Sequence, residues 1–153
     1  MLGRNLFTCR TYAVDVMRVQ KQISIESMMT TTFETDTGQF EYEALLDTGA
    51  GPSLMSEQIW QEISGGAPLQ PTTVSLRAAN DISMGVVGRT PMLTSIIAGV
   101  KVVQSFLVAR DLAQIKLVFG RDFVHAHDVL IDLPKGKIVI RNPDGMYLSL
   151  IHI

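Results

Sequence analysis

Few side chains in this sequence are placed to do chemistry, and the aspartates hold most of the interest. The tripeptide Asp-Thr-Gly occurs twice, as Asp36-Thr37-Gly38 and as Asp47-Thr48-Gly49. Alone it decides nothing, because Asp and Gly are the usual occupants of tight turns. Context separates the two copies. Asp36 follows Phe33-Glu34-Thr35 and precedes Gln39, with no apolar run delivering it, and reads as a hairpin turn. Asp47 ends the apolar run Ala44-Leu45-Leu46, and the small residue Ala50 follows Gly49. Asp47 is therefore the candidate acid–base group. His125 and His127, two apart on a helical turn, point to different faces with no further ligand gathered around them, which makes zinc ligation a poor reading. Cys9, the one cysteine, has no intramolecular partner for a disulfide.

A second stretch lies downstream: Leu117-Val118-Phe119-Gly120-Arg121-Asp122. With Ala44-Leu45-Leu46-Asp47-Thr48-Gly49-Ala50 it resembles the retropepsins, the aspartic proteases of retroviruses and LTR retrotransposons. Gly120-Arg121-Asp122-Phe123 is closest to the retrotransposon branch, and the resemblance covers roughly Ile23 to Asn142. It implies a mainly-β fold, a closed acid-protease barrel with one or two short helices, forming one half of a C2 homodimer. Peptide hydrolysis without a metal needs one carboxylate to activate water and one carboxylic acid to protonate the carbonyl oxygen. Two carboxyls in contact cannot both ionise, so a shared proton supplies both roles. This chain carries one catalytic candidate, so the second carboxyl must come from Asp47 of a second copy.

The resemblance further assigns Asp47, Thr48 and Gly49 to catalysis, with Thr48 locking the loop across the dimer. It places Ala50 and Gly51 on the floor of a substrate cleft. Ala79, Asn80 and Asp81 would lie above them on a mobile flap, and Ile82, Val86 and Val118 would form pocket walls. Gly120, Arg121 and Asp122 are structural, and no metal or organic cofactor is implied. The expected activity is endopeptidase cleavage of extended peptides between apolar residues, with polyprotein processing as the natural role. Two departures stand out. Gly51 and Pro52 occupy the place where retroviral relatives carry an acid that pairs with the arginine. Arg121 must then pair elsewhere, with Asp122 or an acid of the N-terminal arm, or be less buried. Asp81 stands near the flap tip, where many relatives have glycine.

The elements that must position these residues read as short strands with turns at regular spacing. Ile23–Thr35 and Phe40–Leu46 form a hairpin that feeds Asp47. Ser56 can cap a helix over Glu57–Ile63 that Gly65-Gly66 stops. Thr73–Ala79 and Ile82–Val87 make the flap-like hairpin around Asn80-Asp81. Pro91–Ile97 and Val100–Ala109 flank Ala98-Gly99. Lys116–Phe119 is a short strand, Asp122 can cap a helical turn through His127, and Val129–Leu133, Ile138–Ile140 and Met146–Ile153 follow. Many strands with two short helices argue for a barrel or sandwich.

Composition agrees with one globular domain. A hydrophobic fraction of 46% against 18% charged is too apolar for a disordered chain. A net charge of -2 gives no electrostatic reason for a nucleic-acid partner, and no apolar run is long enough to span a membrane. Residues 1–21 read as a flanking arm or polyprotein remnant, and residues 22–153 as the protease-like domain. Arg4, Arg10 and Arg18 against Asp15 also fit a mitochondrial transit peptide, although a plain flank needs no extra machinery. The expected location is the cytoplasm or a retroelement particle. The competing reading is a domesticated retropepsin-like domain that dimerises or binds peptides with little or no activity. A ubiquitin-pathway protease of the same fold is a more distant alternative.

Overall fold

The computed structural model describes residues 26–77, 83–110, 112, 114–132, 134–141 and 147–152. The N-terminal arm of residues 1–21 lies outside them. β1 (Glu26–Thr35) and β2 (Gly38–Asp47) pair antiparallel from Glu26↔Asp47 to Thr35↔Gly38, so the hairpin's open end carries Asp47. Met29, Thr31 and Phe33 point to the core from one strand, and Ala44 and Leu46 from the other. The other tripeptide copy is the turn of this hairpin. There the Thr37 hydroxyl donates to the Ile63 carbonyl at 3.2 Å, tying the turn to the helix beyond.

β3 (Leu54–Ser56) leads into α1 (Glu57–Ser64). Ser56 caps this helix by accepting from the Ile59 amide at 3.2 Å, and Gly65 ends it at φ 65°. Ile59, Trp60 and Ile63 form its buried face. Next come β4 (Val86–Arg89), β5 (Leu93–Ile97), β6 (Val100–Gln104), β7 (Leu107–Ala109) and β8 (Leu117–Phe119). The β5–β6 turn takes positive φ at both Ala98 and Gly99, the geometry that matches strand twist in a two-residue hairpin. These eight strands form one sheet in the order β4-β7-β3-β8-β2-β1-β5-β6.

β8 is the strand that matters for the site. It lies parallel to β2 and antiparallel to β3, threaded between them. Its three residues, like those of β3 and β7, are all buried. α2 (Arg121–Ala126) follows directly. A second sheet contains β9 (Leu130–Asp132), β10 (Lys137–Arg141) and β11 (Tyr147–His152), ordered β11-β10-β9.

The core is centred on a run of touching rings. Phe33, Phe106, Phe119 and Phe123 follow one another with centroids 5.9, 5.4 and 4.6 Å apart. His127 closes the run 4.8 Å from Phe123. These contacts join β1, the β6–β7 bend, β8 and α2 into one body, worth about 0.5–1.5 kcal/mol per ring pair beyond burial.

Among the described residues the architecture is mainly β with two short helices, as the sequence implies. Within one chain, however, the sheet is curled and open: its end strands β4 and β6 are not neighbours, so the expected closed barrel is a half-barrel. Thr73–Leu76 forms no strand. Among the described residues, the arms of the flap-like hairpin meet through the isolated Arg77↔Ser83 bridge and the Met84 amide bonding the Leu76 carbonyl at 3.0 Å.

Candidate active site

Asp47 is the last residue of β2, delivered by a strand whose neighbours are fixed on both sides. The loop after it folds back on the carboxylate: the Gly49 amide donates to Asp47 Oδ1 at 2.8 Å, and the Ala50 amide to the Asp47 carbonyl at 3.1 Å. This holds one carboxylate oxygen against backbone and orients the group without a side-chain partner.

Register with β8 sets what lies beside this loop. Leu45↔Val118 and Leu46↔Phe119 bring Gly120 alongside residues 47–52. Gly120 is packed so closely that an added Cβ would sit 2.6 Å from the Pro52 carbonyl oxygen, 2.7 Å from that of Gly51 and 2.9 Å from that of Ala50. The helix start then grips the loop. Arg121 and Asp122 amides donate to the Ala50 and Gly51 carbonyls at 2.8 and 3.1 Å.

Asp122 is a clamp on this loop, and the N-cap of α2 is Gly120, which offers no side chain. The Asp122 carboxylate accepts from the Ser53 amide at 3.0 Å, the Ser53 hydroxyl at 2.7 Å and Gln104 Nε2 at 3.2 Å. Ser53 Oγ in turn accepts from the Gly120 amide at 3.1 Å. Buried donors converge on one anion, the arrangement that makes charged hydrogen bonds strong. Asp122 also accepts from the Phe123 amide at 2.7 Å, so it serves the first turn of α2, as expected of a capping residue, and a tertiary clamp as well. Arg121 is exposed, and its Nη1 donates to the Thr48 carbonyl at 2.9 Å. Its guanidinium lies beside Gly51, with Nη2 3.5 Å from where a Cβ there would be.

Asp47, Gly49, Ala50 and Gly51 form one side of a cleft of about 780 Å3. Leu54 and Val118 line it from the sheet, Leu76, Arg77 and Met84 from the hairpin arms, and Leu112, Gln114 and Ile115 from the chain before β8. Asp47 is the one carboxylate among these lining residues. The walls are mostly apolar, interrupted by Arg77 and Gln114, and the floor carries the acid, which suits an extended chain with apolar side chains.

The structure thus brings together Asp47, Gly49, Ala50, Gly51 and Val118 in the cleft, with Thr48, Gly120, Arg121 and Asp122 supporting it. Val86 lies in β4, packed against the buried cluster of Leu54, Leu107, Ala109, Leu112 and Val118, behind the wall. Ala79, Asn80, Asp81 and Ile82 lie outside the described residues. Sequence reasoning missed Ser53 and Gln104. Gln104 had a signal: it falls on the inward face of the alternating strand β6, where a buried amide must find a partner. Ser53 had none. His125 is exposed, while His127 is half-buried, with Nε2 3.0 Å from the Val103 carbonyl. Burial pushes the His127 pKa down, against the opposing effects of that hydrogen bond and of Asp122.

The fold and site together define a retropepsin-like fold. No family model matches the chain, and no curated protein does. Among solved structures, the chain is similar to the retroviral protease-like domain of Ddi1 from Leishmania major. The TM-score is 0.60 and the sequence identity 22%, over 83% of this chain and 94% of that one.

Proposed function

We propose that the protein is an aspartic endopeptidase that works as a homodimer, with the Asp47 carboxyls of two copies forming one catalytic pair. The observation that carries the reading is the placement of Asp47. It sits on the floor of an apolar cleft, oriented by the Gly49 amide, as a single carboxylate that needs a second. A C2 axis beside Asp47 supplies that second group and doubles the half-cleft into a channel for an extended peptide.

The chemistry follows from one proton shared by two carboxyls. The ionised Asp47 takes a proton from a water molecule as its oxygen attacks the peptide carbonyl carbon. The protonated Asp47 gives its proton to the carbonyl oxygen, producing a neutral tetrahedral diol. On collapse, a hydroxyl proton returns to the pair and the amide nitrogen is protonated. The C–N bond breaks, releasing a carboxyl and an amine terminus. Leu76, Arg77 and Met84 line the cleft and help exclude water from the peptide in this scheme, and Thr48 and Arg121 brace the loop at the subunit boundary. Processing of a polyprotein of the retrotransposon type is the role this activity would serve.

The test is cleavage of a mixed peptide library at mildly acidic and neutral pH, wild type beside Asp47→Asn, with sedimentation on the same samples. Sequence-specific cleavage that the substitution abolishes is expected. A wild-type dimer that cleaves nothing would overturn the reading and leave a peptide-binding or dimerisation module.

A further inference from the structure

A second groove, of about 340 Å3, opens directly beside the cleft. The two share Gln114 and Ile115 as a common wall, so a peptide leaving the cleft past Ile115 enters the groove. Its base is apolar. Met28 and Ile115 are two of the large hydrophobic side chains the chain leaves in solvent, at 45% and 37% exposure, and Ile59 lies between α1 and the sheet beneath them. Its rim is acidic. Glu43 is held through one oxygen by the Thr30 hydroxyl at 2.8 Å, and Glu62 through one oxygen by the Tyr42 hydroxyl. Among the described residues, each carboxylate is anchored through that one oxygen. Lys116, the one cation lining the groove, turns its ammonium to the Leu112 carbonyl at 3.3 Å.

We infer that this groove is an extension of the substrate site that takes a basic side chain of the peptide, lying outside the residues that flank the scissile bond. The inference rests on the peptidase reading and adds a substrate class to it: peptides with an arginine or lysine displaced from an apolar cleavage core. Two properties select this occupant. An apolar base with two anchored carboxylates matches the long aliphatic stem and cationic head of Arg or Lys. Continuity with the cleft means that a bound peptide is already directed there. In a C2 dimer each copy contributes one groove, so the preference falls on both sides of the scissile bond.

The experiment uses peptides that share one cleaved core and carry a single arginine or glutamine at successive positions outward on each side. On the wild-type chain, arginine raises kcat/KM about three- to tenfold over glutamine, through KM, at one or two outer positions per side, the scale of one or two exposed ion pairs. That ratio falls to about one in the Glu43→Gln/Glu62→Gln chain and shrinks in high salt. An arginine preference at no position, or one that survives the double substitution, overturns the inference. Fluorescence anisotropy of the same peptides on the Asp47→Asn chain separates it from the peptidase reading. Arginine-selective binding without wild-type cleavage keeps the groove and rejects the peptidase, whereas cleavage without selectivity does the reverse.

Discussion

Replacing Gly120 by alanine tests how the loop after Asp47 is held. The backbone there, φ -98° and ψ -164°, is open to any residue, so a methyl group costs only what it strikes. It strikes three backbone carbonyl oxygens, at 2.6, 2.7 and 2.9 Å, none of which can swing away as a side chain would. Relief requires the loop over Ala50, Gly51 and Pro52 to move until these contacts reach normal separation. That motion weakens the two amide bonds from Arg121 and Asp122, at about 1 kcal/mol each. Overpacking adds about 1–3 kcal/mol. The expected loss is about 3–5 kcal/mol, a large share of the roughly 5–15 kcal/mol that holds a domain folded. Urea unfolding at unchanged m measures it directly. Gly51→Ala is the control: its Cβ meets only the flexible Arg121 Nη2 at 3.5 Å, so it stays within about 0.5 kcal/mol of wild type. A Gly120→Ala protein less than about 1 kcal/mol weaker than wild type would refute the packing argument.

Asp122→Asn turns an NH2 group toward N–H donors in either orientation, Ser53 and Gln104 at one oxygen position and Phe123 at the other, so about 2–4 kcal/mol is lost in urea unfolding, with activity falling alongside. A loss no larger than that of an exposed Asp→Asn change would remove Asp122 from the clamp. His127 is held with its pKa lowered, so the unfolded chain binds the proton more readily. Its contribution is present above the unfolded value of about 6.5 and is lost as pH falls from there toward the lower folded value. His127→Gln should therefore show a flatter stability profile between neutral and mildly acidic pH. Parallel profiles would show that His127 does not titrate with folding.

The parts of the site that were legible in the sequence are those fixed by local rules. Ser56 and Gly65 bracket α1 by capping chemistry, and the apolar run into Asp47 set it apart from Asp36, which the structure places in a turn. Departures arise where a distant partner outbids a local preference. Asp122 has the residue type of a helix cap and does accept from the Phe123 amide, but the N-cap position falls to Gly120 and the carboxylate also reaches Ser53 and Gln104. Val100–Ala109 reads as one strand but bends at Ser105-Phe106, where the Phe106 amide turns to the Thr90 hydroxyl at 3.0 Å. The chain there passes from the sheet's end, where β6 alternates buried and exposed, to a strand buried throughout. That switch from alternation to a continuous apolar run was visible in the residues. Thr73–Leu76 has strand composition but pairs with no strand among the described residues, and composition alone cannot supply an edge.

The threading of β8 between β2 and β3 also governs when the site comes into existence. The contact from Ser53 to Asp122 closes 69 residues of chain, and the local bonds from the Gly49 and Ala50 amides to Asp47 do not reach across that span. Such closures carry their entropic cost before any contact repays it, so they form late and together. A chain emerging from synthesis exposes Asp47 well before Gly120 and Asp122 exist to shape its loop. On the proposed reading, catalytic competence then arrives only with the finished fold and a second finished copy. An unfinished chain carries the aspartate without the arrangement that orients it, so on that reading timing guards it and its neighbours against premature cleavage.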